Sequence, residues 1–155
     1  MTVHDFIVIY NESFKYIKNK YGAEALRDLW STISDEWCTH LDGLVKEKGL
    51  DGMVEYWDGD DGTLGREQAQ YQIKLENGLF TGVMYKCPSV GELVERNREI
   101  CKGEPGYCDH CMALYAPIAE KYGIKMLWSI EHDSDGVCQG RCKWSAYEYD
   151  KQAGP

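Results

Sequence analysis

A strict alternation around one Asn-Gly pair constrains this chain more than any other feature. Tyr71, Ile73 and Leu75 alternate with Gln70, Gln72, Lys74 and Glu76, the period of a half-buried strand. Asn77-Gly78 follows at once. Both residues tolerate positive φ, so they suit a tight type I′ connection, and Leu79 to Tyr85 returns as the partner strand. An antiparallel hairpin is predicted here.

The chain before this hairpin has helical periodicity. Val3, Phe6, Ile7, Tyr10, Phe14, Ile17 and Tyr21 form one stripe, closed by Gly22. Leu26, Leu29, Trp30, Ile33, Trp37, Leu41 and Leu44 form a second, and Leu50, Met53, Val54 and Trp57 a third. The acidic run Asp58-Gly59-Asp60-Asp61-Gly62 that follows is not an EF-hand. Counted from Asp58, glycine falls fifth instead of sixth, and Ala69 stands where the twelfth-position glutamate belongs.

After the hairpin, Ser89-Val90-Gly91-Glu92 predicts a capping box opening a helix through Leu93, Val94, Asn97 and Cys101. Gly103-Glu104-Pro105-Gly106 breaks it. A further helix is predicted from near Cys108 to Tyr122, kinked or displaced by Pro117. Ile124, Met126, Trp128 and Ile130 alternate as a third strand. A fourth, after Asp133-Ser134-Asp135-Gly136, carries Cys142, Trp144 and Ala146 on one face. The order is helices, hairpin, two helices, hairpin. It predicts one α+β domain over residues 1–155, an antiparallel sheet of two hairpins covered by helices.

At 155 residues a chain can bury a core without disulfide staples. Its formal charge of −9 argues against nucleic acid and against an anionic membrane surface. No apolar run reaches the roughly 20 residues of a membrane span, and the first ten residues lack the basic start of a secretory signal. Seven cysteines, an odd number, fit thiols, metal ligands or nucleophiles in a reducing cytoplasm. The partner expected is a small-molecule substrate or ligand, and assembly of several copies is compatible with all of this.

Four of those cysteines form two close pairs, Cys108 with Cys111 and Cys138 with Cys142, separated by 26 residues. The spacing approaches a zinc pattern without matching a standard finger. His110 and His132 lie beside the pairs. Four thiolates would make a closed structural zinc site, whereas three, or two with a histidine, would leave a position for an activated water. A metal-free alternative has Cys87 or Cys108 attacking substrate while His110 or His132 moves protons. A helix start near Cys108 would favour its thiolate. Arg141, between the last two cysteines, could fork onto a substrate carboxylate, as could Arg96 or Arg98. A Cys108–Cys111 redox pair is a third alternative.

Cys87-Pro88 after a strand, Tyr107-Cys108 opening a helix, the strand Ile124 to Ile130 and Gly140-Arg141-Cys142-Lys143-Trp144 together resemble the L-2-amino-thiazoline-4-carboxylic acid hydrolase family. The likeness covers about residues 80–148. It implies hydrolytic opening of a cyclic thiazoline amino acid to a carbamoyl-cysteine, with Cys87, Cys108 and Cys142 at the recurrent cysteine positions. The family's usual Phe after the last cysteine is Trp144 here. The element order also resembles vinyl-reductase-type small-ligand sensor domains, some of which hold zinc with C-terminal cysteines. The alternative function is therefore a small-ligand sensing module with a structural Cys-zinc site.

Overall fold

The computed structural model describes residues 1–149. Its centre is one antiparallel sheet of four strands in the order β1-β2-β4-β3. The strands are β1 (Gln70–Glu76), β2 (Leu79–Lys86), β3 (Ile124–His132) and β4 (Cys138–Glu148). Asn77 and Gly78 have φ of 52° and 74°, and Glu76 pairs with Leu79, so the first hairpin closes on the type I′ turn its sequence predicts. The second hairpin joins the first through β2 and β4, with Gly82 opposite Trp144.

Alternation gives the sheet two unlike faces. Phe80, Gly82, Met84, Trp144 and Ala146 point inward and are buried, while Leu79, Tyr85, Leu127 and Tyr147 are exposed on the outer face. Gly82 is required by a close approach. A Cβ there would stand 2.3 Å from Cε2 of Trp144, whose indole lies over the strand and stacks on Trp128 at 5.6 Å.

Seven helices cover the inner face. They are α1 (Val3–Tyr21), α2 (Ala23–Trp37), α3 (Thr39–Lys48), α4 (Leu50–Trp57), α5 (Thr63–Arg66), α6 (Pro88–Glu95) and α7 (Asp109–Lys121). Helix α7 is the middle layer. Ile118 and Ala119 join the cluster against the sheet, with Met53, Trp57, Phe80 and Trp144. Leu114 joins the second cluster, with Phe14, Leu26, Trp30 and Leu93 from α1, α2 and α6. Helix α1 also staples down the irregular segment before α7. Asn11, fully buried, donates to the Glu99 carbonyl at 2.9 Å and accepts from the Cys101 N–H at 2.8 Å, and Lys18 donates to the carbonyls of Lys102 and Pro105.

Four local expectations need correction. The stripe from Leu26 to Leu44 is two helices broken at Cys38, and Trp37, counted inward by periodicity, is 79% exposed because the break ends its phase. Ser89 does not cap α6. Pro88, whose ring presets a helical φ, takes the first turn, with Cys87 as the N-cap. Helix α6 ends at Glu95 instead of running to Cys101, since Asn97 turns left-handed at φ 52°. Pro117 does not displace the start of α7, for the helix runs from Asp109 through it to Lys121.

No helix among the described residues is long and apolar enough to cross a membrane. Because the Gly82 contact is with a buried ring held by neighbours, Gly82→Ala should destabilise the fold by about 1–3 kcal/mol, as overpacked cores do. A shifted urea midpoint would show it. An unchanged midpoint would mean that the Trp144 ring can move aside.

Candidate functional site

The inner face of the sheet ends, on the side of Met84 and Cys142, in a group of five thiols. Cys87 is the N-cap of α6 and is held there by its N–H, which donates to the Gly140 carbonyl at 2.9 Å. Gly140, at φ 75°, sits where β4 bulges between the Ile130–Cys142 and His132–Cys138 pairs. A Cβ on it would press on Val90 at 3.2 Å, so the bulge lets β4 lie directly against α6. Cys142 faces inward between Met84 and Ile130. Helix α7 adds Cys108 at its N-cap and Cys111 in its first turn, with Tyr115 one turn further along the same face.

These thiols act on one another electrostatically. Burial pushes Cys87 up to about 11, aided by the nearby Cys111. Burial likewise raises Cys111 to about 12, with Cys138 and Glu67 adding to it. Cys142 also rises to about 12 through burial, although the Trp128 indole N–H donates to its sulfur and pulls the other way. Cys108 and Cys138 differ from these three. Each of this pair shifts chiefly through the other, Cys108 upward and Cys138 downward, and burial pushes Cys108 further up. The helix start does not make Cys108 a thiolate, because Cys138 and burial both hold its proton on and Asp109 already occupies that end of α7, accepting from the Gly106 N–H at 2.6 Å.

Cys87, Cys108, Cys111 and Cys142 nonetheless keep part of their surface accessible and are not sealed in the core. Cys87 opens into a groove of 530 Å³ between the end of β2, α6 and the β4 bulge, lined also by Gln70, Tyr85 and Val90.

The site has a carboxyl group that periodicity could not reveal. Glu67 follows α5 and is exposed as a residue, yet partial burial raises its pKa, against the pull of neighbouring Arg66. Its charge acts on Cys87, Cys111 and Tyr56. Tyr56 packs edge-on against Tyr115 with ring centroids 5.9 Å apart, and Tyr115 stacks near Trp128 at 6.4 Å, so the three rings form an aromatic wall.

The histidines divide. His110 is packed among Phe14, Tyr10 and Tyr107. Its Nδ1–H donates to the Tyr107 carbonyl, leaving Nε2 as the acceptor 3.8 Å from the Cys111 sulfur. Burial lowers its pKa, so the ring is neutral. His132 is exposed at the end of β3, across from Cys138. Arg141 reaches the rim of the Cys87 groove, but its guanidinium is clamped on the outer face by Glu131 at 2.9 and 2.6 Å. Arg96 is tied to Glu92 and Asp5, away from the thiols.

The expected zinc centre is not formed. Among the described residues no group of three or more His, Cys, Asp or Glu is placed to hold a metal ion. Cys111 Sγ lies 3.8 Å from Nε2 of His110. Cys108, Cys111, Cys138 and Cys142 share a neighbourhood without forming such a group. No protein-family model, curated protein or solved structure matches the chain.

Cys87, Cys111 and Cys142 carry a pH signature. Their ordinary value is 9.0, and the folded chain holds their protons to about 11 or 12. The folded state binds more protons than the unfolded one in that window. Their contribution to stability is complete below pH 9.0 and declines as pH rises through 11 and 12. Denaturation midpoints should fall across this range and flatten in Cys87→Ala and Cys111→Ala. Thiolate absorbance from all three sulfurs below pH 9.0 would contradict the assignment.

Proposed function

We propose that this protein is a hydrolase of a small cyclic amidine, of the 2-amino-thiazoline-carboxylate kind, working with a carboxylate and protonated thiols. The observation that carries this reading is the accessible groove of 530 Å³ into which Cys87 opens at the end of the sheet's inner face, where Glu67 and Cys111 act on Cys87 electrostatically. The resemblance of the cysteine segments adds the substrate class. Keeping seven thiols reduced favours the cytoplasm.

Glu67 is the base. A carboxyl whose pKa is raised by burial is a better proton acceptor near neutral pH than an exposed one. It takes a proton from water as the oxygen adds to the amidine C=N carbon. The C=N electron pair moves to nitrogen, which is protonated from the thiol side of the crevice. The tetrahedral carbon then expels the ring sulfur, whose C–S bond breaks as the C=O bond forms; the proton of its hydroxyl returns to the thiol that protonated the nitrogen, and Glu67 returns its own proton to the departing sulfur. The products balance as a carbamoyl group and a free thiol. Raised pKa values keep Cys87 and Cys111 protonated at neutral pH, able to hydrogen-bond to the substrate nitrogen and supply its proton as that nitrogen becomes strongly basic, and make them poor nucleophiles. His110 positions the Cys111 sulfur through its Nε2.

Purified protein supplied with 2-amino-thiazoline-4-carboxylate should yield carbamoyl-cysteine, measured by mass spectrometry. Glu67→Gln should lower kcat by about 10²–10⁴-fold, the usual worth of a general base. The acid limb of the rate profile should lie above the range of an exposed glutamate, because Glu67 works as the carboxylate and its pKa is raised. Full activity in Glu67→Gln would remove the base from this scheme. Saturable binding without turnover would favour the sensing module instead.

A further inference from the structure

The sheet ends on two strands, β1 and β3, and each leaves one edge without a backbone partner among the described residues. Such an edge offers the N–H and C=O groups of alternate residues to any strand that can reach them. The two edges differ. β1 is interrupted at its start, where the register shifts between Gln70 and Tyr71. β3 runs unbroken over nine residues, Ile124–His132, because the extra residues of the bulge between Ile130 and His132 lie on β4. It also carries apolar surface to the edge, since Leu127 is 51% exposed and Trp128 is half-buried.

The residue pattern of β3 is complementary to itself. A second copy paired antiparallel about a two-fold axis normal to the sheet keeps inner residues opposite inner ones. Trp128 is the midpoint of the nine residues, so an axis through it uses the full length of both strands. Lys125 then stands opposite Glu131 of the second copy, and Glu131 opposite its Lys125, so the dimer holds this opposite-charge contact twice. Leu127 falls opposite Ser129 on the outer face, and Met126 opposite Ile130 on the inner one. Moving the axis to Leu127 or Ser129 loses the Lys125–Glu131 contact and leaves strand ends unpaired. β1 has no such match, for about its midpoint Ile73 the pairs are Gln70 with Glu76 and Gln72 with Lys74. Glu131 is also fixed in advance, because Arg141 holds its carboxylate from the β4 side at 2.9 and 2.6 Å. Lys125 is exposed and pairs with no other charged group among the described residues.

We propose that β3 is a homodimer interface, at which two copies of this chain join edge to edge and their four-stranded sheets become one sheet of eight strands. Main-chain hydrogen bonds supply the attraction, and the paired Lys125 and Glu131 set the register. This pairing is independent of the hydrolase chemistry. It covers the open side of Trp128 and brings the aromatic wall of Tyr56, Tyr115 and Trp128 beside its counterpart.

Sedimentation velocity of the full chain, at loadings up to about 200 μM where a contact this small is populated, should show a concentration-dependent species of twice 17.8 kDa. Lys125→Glu and Glu131→Lys each set like charges opposite one another twice, and each should raise the dimer Kd about tenfold or more. Mixed in equal amounts, the two variants regain both opposite-charge contacts, and the heterodimer should form with a Kd within about threefold of that of the unaltered chain. Amide exchange across residues 124–132 of the unaltered chain should slow as its concentration rises. A monomer at every loading would overturn the proposal. So would a dimer indifferent to both substitutions, a mixture that recovers nothing, or concentration-dependent protection on β1 or the helices instead of β3. Exchange on the unaltered chain decides the matter even where a variant fails to fold.

Discussion

The antiparallel pairing of β2 with β4 is the interaction on which the site depends. Each hairpin closes locally, and nothing in its own turn says where it should lie relative to the other. Gly82 opposite Trp144 sets the register, because only a residue without Cβ can lie beneath that indole. The same pairing carries the end of β2 to the β4 bulge, where the Cys87 N–H finds the Gly140 carbonyl. Cys87, Cys138 and Cys142 become neighbours through this one register, and α7 then adds Cys108 and Cys111 from above.

Desolvation decides what the gathered sulfurs can do. A thiolate in an apolar crevice loses hydration that its neighbours do not replace, and every additional thiolate would repel it. Cys87, Cys111 and Cys142 accordingly stay protonated well past neutrality. The cation that might have reversed this, Arg141, belongs to the other face of the sheet. It alternates with Gly140 and Cys142, which turn inward, and Glu131 has claimed it.

Much of the fold could be read from the residues. The first hairpin follows from alternation and from two residues able to take positive φ, and both requirements are local. The third strand and the helices α1, α4 and α7 are equally legible, since each presents a continuous apolar stripe. The break at Cys38 was not, because Trp37 continues the stripe in composition while leaving it in space. Pro117 does not displace the start of α7, because the packing of Leu114 and Ile118 on two cores holds the helix through a missing hydrogen bond. Glu67 had no signal at all. It lies in a short connection between α5 and β1, and its carboxyl matters only because β1 starts beside the end of β2.

Sequence alone determined the α+β class, the two hairpins and the supply of closely spaced thiols. Period, turn chemistry and composition act over a few residues and are written in the chain directly. Tertiary structure decided which sulfurs meet. The β4 bulge and the tethered segment before α7 bring Cys138 into one cluster with Cys101, and Cys108 packs against it. Tertiary structure also decided that the donors do not form a metal-holding group among the described residues, and that Arg141 faces away. Those outcomes depend on the packing of β4 against α6 and α7, a contact between stretches of chain that no local pattern encodes.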